Sequence, residues 1–141
     1  MLTNDRTAYR RAFCDVWRKH RQALPLTPLE CQIRDVILAH PEYQGLVEQT
    51  ETVLAREFHA EDGEENPFLH MGLHLAILDQ VGMDRPPGIR SIYKELLNRY
   101  PDSHQAEHAM MGCLQRMILG MQAGAVAVEG EYLNCLRRLL S

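Results

Sequence analysis

The chain has 141 residues, 45% of them hydrophobic and 24% charged, with a formal net charge of −4. That length is about one domain, enough to bury a real core without disulfide or metal staples. The acidic balance argues against a nucleic-acid role, because phosphate binding draws its affinity from clustered lysine and arginine. The longest apolar stretch, residues 117–128, is interrupted by Gln122 and is too short to span a bilayer.

The opening Met1-Leu2-Thr3-Asn4-Asp5 has no basic or apolar signal region, which predicts a cytoplasmic protein. The four cysteines, Cys14, Cys31, Cys113 and Cys135, are widely spaced with no CxxC pair. In a reducing compartment each is read as a small buried hydrophobe.

Strand signals are poor: 6% of residues are aromatic and no stretch alternates apolar and polar for long. Helical spacing recurs instead. It predicts an all-α fold, a single compact helical bundle of about six or seven helices over residues 1–141.

The first helix is predicted over residues 5–22. Tyr9, Phe13, Val16 and Trp17 form its apolar stripe, and Arg10, Arg11, Arg18 and Lys19 its wet side. Thr27-Pro28-Leu29-Glu30 is a strong start signal: Thr27 caps, Pro28 suits the first helical position and Glu30 closes a capping box. That second helix carries Leu29, Ile33, Val36 and Ile37 and stops near His40, before Pro41. Another helix starts at Pro41 with Leu46 and Val47, and more helix follows through Val53 and Leu54 to Phe58. Residues 59–65, polar and acidic, read as a loop. Asn66-Pro67 repeats the cap-plus-proline start for an apolar helix over 68–83. Asp84-Arg85-Pro86-Pro87-Gly88 is a turn leading to a helix over 89–100. Pro101-Asp102-Ser103 is a turn and cap for the longest helix, 104–123. After a break at 125–130, residues 131–140 form a last amphipathic helix.

The chemical hint is histidine. Of seven, four fall in two pairs of identical spacing, His70 with His74 and His104 with His108. Seven histidines scattered at random give roughly 0.3 pairs four apart, so two pairs exceed chance. Residues four apart share a helix face, and two imidazoles so placed make a half-site for a metal ion. Two such helices facing each other supply four nitrogen ligands, the usual construction of metal sites in helical bundles. His70 and His74 lie among Leu73, Ile77 and Val81, on the apolar side of their helix. Glu107 projects with Met111, Leu114 and Ile118, where a carboxylate is costly unless paired or metal-bound. The candidate metal set is therefore His70, His74, His104, His108 and Glu107. A carboxylate among imidazoles favours iron, manganese or zinc. The competing reading keeps the histidines neutral at a helix interface, or pairs Glu107 with a histidine of the facing helix.

Other features read as structural. His40-Pro41-Glu42-Tyr43 places an imidazole at a helix end and Glu42 in the next first turn, both favourable to the helix dipole. His20 and His59 read as surface or loop residues, and Trp17 as a core residue with its N–H bonded at the edge. Met110, Met111, Met117 and Met121 read as core filling.

Several blocks together carry a resemblance: RAFCDVWRK at 11–19, LTPLE at 26–30, HPEY at 40–43, NPFLHMGLHLA at 66–76, DRPPGI at 84–89 and HQAEHAMMGCL at 104–114. The chain resembles, over nearly its whole length, a family of short bacterial proteins known as a domain of unknown function. The resemblance implies that His70, His74, His104 and His108 belong to the family signature, and it implies no activity. One departure stands out. A histidine often follows HPEY in that pattern, where this chain has Gln44, and Glu107 is not a fixed feature.

Two functions follow as expectations. The first is a helical bundle binding a divalent metal ion through its two HxxxH helices. The second is a non-enzymatic interaction module with structural or pH-sensing histidines, leaving open a protein partner or a homo-oligomer. Neither names a substrate or a reaction.

Overall fold

A computed structural model describes residues 2–58, 65–126 and 128–141, with side chains from Arg6 onward. Among the described residues there are eight helices and no strand, so the fold is all-α. They are α1 (Leu2–Arg21), α2 (Pro28–Leu38), α3 (Pro41–Val47), α4 (Thr50–Val53), α5 (Pro67–Met83), α6 (Ile89–Leu97), α7 (Ser103–Gln122) and α8 (Val128–Arg138). More helix was expected through Val53 and Leu54 to Phe58, but it is a separate short element that ends at Val53, and residues 54–58 are not helical. Gln49 takes φ −101° and ψ 58°, outside the helical region, so α3 ends and a four-residue α4 begins anew. The loop read over residues 59–65 lies outside the described residues except for Glu65, and so does His59. The described chain groups into two units, residues 1–72 and 73–141, with the boundary inside α5.

In the first unit α1 packs against α2, α3 and α4. Phe13, Val16 and Trp17 of α1 are buried, as are Ile33, Val36 and Ile37 of α2. The start of α2 is the expected capping box. The Glu30 N–H donates to Thr27 Oγ1 at 3.2 Å, and the Thr27 N–H donates to Glu30 Oε1 at 2.9 Å. Asn66 Oδ1 accepts from the N–H groups of Phe68 and Leu69, satisfying two of the orphan donors that open α5. Trp17 is a core residue whose Nε1–H donates to Glu48 Oε2 at 2.9 Å.

The inner face of α1 differs from expectation. Tyr9, placed in the apolar stripe, is 45% exposed, and Arg10, placed on the wet side, is 2% exposed. The guanidinium of Arg10 explains its burial. It donates to the carbonyls of Val53 at 2.9 Å and Arg56 at 2.7 Å, and its Cζ lies over the rings of Phe58 and Phe68, 5.3 and 5.2 Å from their centroids. Periodicity cannot foresee this, because the acceptors come from the last residue of α4 and the chain that follows it.

In the second unit α7 packs against α8, and α6 against both. The core joins Leu73 and Ile77 of α5, Ile89 and Leu96 of α6, Met110 and Leu114 of α7, and Tyr132 and Leu136 of α8. Asp102 caps α7, its side chain accepting the Gln105 N–H at 2.8 Å. The turn before α6 is held by Asp84 Oδ1, which accepts from the N–H groups of Gly88 and Arg90. Gly88, at φ 103°, occupies a left-handed position that costs glycine little.

The reading of all four cysteines as free hydrophobes fails for two. Cys113 and Cys135 form a disulfide that joins α7 to α8, with their Cα atoms 5.8 Å apart. They are 22 residues apart, and helix packing rather than any local motif brings them together. Cys14 is buried and free, as expected, and Cys31 is free and partly buried.

Tyr132 gives this unit a defined alkaline response. Its side chain is 2% exposed and its hydroxyl donates to Gln80 Oε1 at 2.6 Å. Burial raises its pKa above the ordinary 10.0. The folded state therefore holds this proton to higher pH than the unfolded chain does. Its contribution to stability is complete below pH 10 and is lost as pH rises above that value. Urea unfolding at pH 9 and pH 11 should show a steeper loss for the wild type than for Tyr132→Phe. Equal slopes would show that this phenol does not set the response.

Candidate functional site

The site in the second unit is assembled from three helices. The C-terminal part of α5 supplies His74, α6 supplies Tyr93, and α7 supplies His104, Glu107 and His108. The Asp102 cap fixes the start of α7, so His104 and His108 fall in its first turns, four apart and on one side. Glu107 lies beside them, its side chain turned toward the core.

Burial grades across the group. His74 is 2% exposed and Glu107 6%, His104 is partly buried and His108 is exposed. The ring centroids are 4.9 Å apart for His74 and His104, 4.8 Å for His74 and His108, and 4.1 Å for His104 and His108. One ligand nitrogen from each of the three lies within 4.8 Å of the others. Three imidazoles therefore converge on one small volume, reaching from the core to the surface.

Glu107 is the anchor of the arrangement. Its Oε1 accepts from His74 Nδ1 at 2.9 Å, and its Oε2 accepts from the Tyr93 hydroxyl at 2.8 Å. A buried carboxylate is costly unless paired, and here each oxygen has a donor. An ionised Glu107 has no proton to give, so it holds the His74 proton on Nδ1 and turns Nε2 into the acceptor nitrogen. Burial, and then the neighbouring Glu107 carboxylate, pushes the Tyr93 phenol above its ordinary range, which keeps it a donor.

Of the five residues singled out by spacing and burial, His74, His104, His108 and Glu107 meet in the second unit. His70 lies in the first unit. Its Nδ1 is 2.6 Å from Glu65 Oε1, and its ring stands edge-on to His40, with centroids 4.9 Å apart, and to Tyr43. His40 closes the end of α2 as its position suggested. Its Nδ1–H donates to the Val36 carbonyl at 2.8 Å, and its buried ring stacks on Tyr43 at an interplanar angle of 7°. Burial, with the carboxylates of Glu65 and Glu42, pushes the Tyr43 phenol up to about 12. His20, read as a surface residue, is partly buried beside Trp17.

Tyr93 was not foreseen. A signal existed: Tyr93 stands four residues after Ile89 and three before Leu96, both buried, so it shares the inner side of α6. A tyrosine there needs a partner for its hydroxyl.

The family described as a domain of unknown function, DUF1841, matches residues 5–138, and the chain belongs to that family. No curated protein and no solved structure matches the chain. Among the described residues no helix is long and apolar enough to cross a membrane.

Proposed function

We propose that this member of the family binds a divalent metal ion, zinc, iron or manganese, through His74, His104 and His108. The observation that carries the reading is the convergence of three imidazole nitrogens within 4.8 Å of one another. A tetrahedral ion with bonds of about 2.0–2.1 Å holds its nitrogens about 3.3 Å apart. Rotation of the exposed His108 and the partly buried His104 closes that difference.

The arrangement around His74 supports the same reading. Metal-bound histidines commonly donate their second ring N–H to a carboxylate, which fixes the tautomer and strengthens the ligand. Glu107 stands in that place, and Tyr93 holds Glu107 in turn. Glu107 is thus read as the group that orients His74 rather than as a direct ligand, and His70 is left out of the proposed set. The remaining ligand decides the use of the metal. A protein donor closes the shell and makes the ion structural, whereas water leaves a Lewis acid fit for hydrolytic or redox chemistry.

Elemental analysis of untagged protein tests the proposal. The wild type is expected to carry about one equivalent of metal, and His74→Ala/His108→Ala to lose it while remaining helical by circular dichroism. Metal far below one equivalent, unchanged in the double variant, would overturn the reading. The His74–Glu107–Tyr93 group would then stand as a structural polar network of the core.

A further inference from the structure

We propose that Cys135 is a site of reversible thiol modification, and that small carboxylate-bearing thiols open and close the Cys113–Cys135 bond there. This does not depend on the metal reading. A cavity of about 120 Å³ in the second unit is lined by both sulfur-bearing residues together with Arg116, Arg138, Glu131 and Tyr132. Arg116 and Arg138 are exposed and cationic, Glu131 is exposed and anionic, and the pair of guanidiniums sets the balance. Such a mouth attracts a small anionic thiol.

The two sulfurs are not equivalent. Cys113 is 5% exposed, whereas Cys135 is partly open to the cavity. Arg116 Nη1 lies 3.9 Å from Cys135 Sγ. Access therefore directs attack to Cys135, and a nearby cation stabilises its thiolate.

The exchange balances in two steps. A thiolate attacks Cys135 Sγ, the Sγ–Sγ bond breaks, and its electron pair goes to Cys113, which takes a proton from water. The product is a mixed disulfide on Cys135. A second thiolate attacks the outer sulfur of that adduct and releases the Cys135 thiolate beside Arg116. Two external thiols are oxidised to one disulfide, and the protein disulfide is reduced to two thiols. The reverse sequence rebuilds the bond between α7 and α8.

The test treats native full-length protein with mixtures of reduced and oxidised glutathione. Acid quenching, alkylation and peptide mass spectrometry then locate each thiol. Cys113 and Cys135 are expected to become alkylated together without denaturant, with the trapped glutathione adduct on Cys135. Cys14 should stay unlabelled, since burial covers it and pushes its thiol up. Arg116→Gln, a surface change, should slow release of Cys135 from the adduct about threefold, because the cation beside the departing thiolate is gone. A bond that opens only in denaturant overturns the proposal, as does an adduct on Cys113 or a rate indifferent to Arg116→Gln.

Discussion

Glu107→Ala is expected to destabilise the protein by about 4 kcal/mol, in the upper range for a single substitution. The residue is 6% exposed and accepts from the buried His74 and the partly buried Tyr93. Truncation strips the acceptor from both His74 Nδ1–H and the Tyr93 hydroxyl, and each donor left unsatisfied costs about 1–3 kcal/mol. It also leaves a void where the carboxylate packed. Glu107→Gln keeps the shape and one acceptor oxygen but sets an amide N–H against a donor, so about 2 kcal/mol is expected. Tyr93→Phe alone should cost about 1 kcal/mol. Because Tyr93 and Glu107 share one hydrogen bond, the double variant should fall short of the sum of the singles. Urea unfolding with an unchanged m-value provides the measurement. A loss under about 0.5 kcal/mol for Glu107→Ala would mean that the carboxylate has no structural role. The same set bears on the metal proposal. An orienting carboxylate removed from a ligand weakens metal affinity about 10- to 100-fold, so Glu107→Gln should lower metal affinity while the fold survives.

The other large effect is expected at Arg10. Arg10→Ala should cost about 3 kcal/mol, from two carbonyls that lose a charged donor and from the stem and planar head that lose their packing. The guanidinium holds the Val53 and Arg56 carbonyls at once and lies over two aromatic rings. Arg10→Lys should recover less than half of the loss, because an ammonium lacks the flat fork that serves two acceptors and stacks on rings. The neighbouring Arg11 is exposed, and Arg11→Ala should stay within about 0.5 kcal/mol. If Arg10→Ala matched Arg11→Ala in thermal or urea unfolding, the buried guanidinium would not be holding the end of α4 and the chain after it.

Much of the local structure was legible because its causes are local. Thr27, Asn66 and Asp102 were readable as caps, since each satisfies an N–H two or three residues away. The recurrence of apolar residues every three or four positions predicted an all-helical chain, and it placed Glu107 and His74 on inward faces before any packing was known. The pairing of His104 with His108 is likewise a property of one helix.

Periodicity specifies which side of a helix turns inward but not which helix it meets. That Glu107 joins His74 to Tyr93 depends on where α5 and α6 present those side chains to α7. That Cys113 meets Cys135 depends on how α8 lies against α7. That Arg10 turns inward rather than outward depends on two carbonyls supplied more than forty residues later. Residue order and spacing are enough to specify an all-α chain with histidines and a carboxylate at helical spacing. Which of them converge follows from packing, because contacts between distant segments are not encoded in any local spacing.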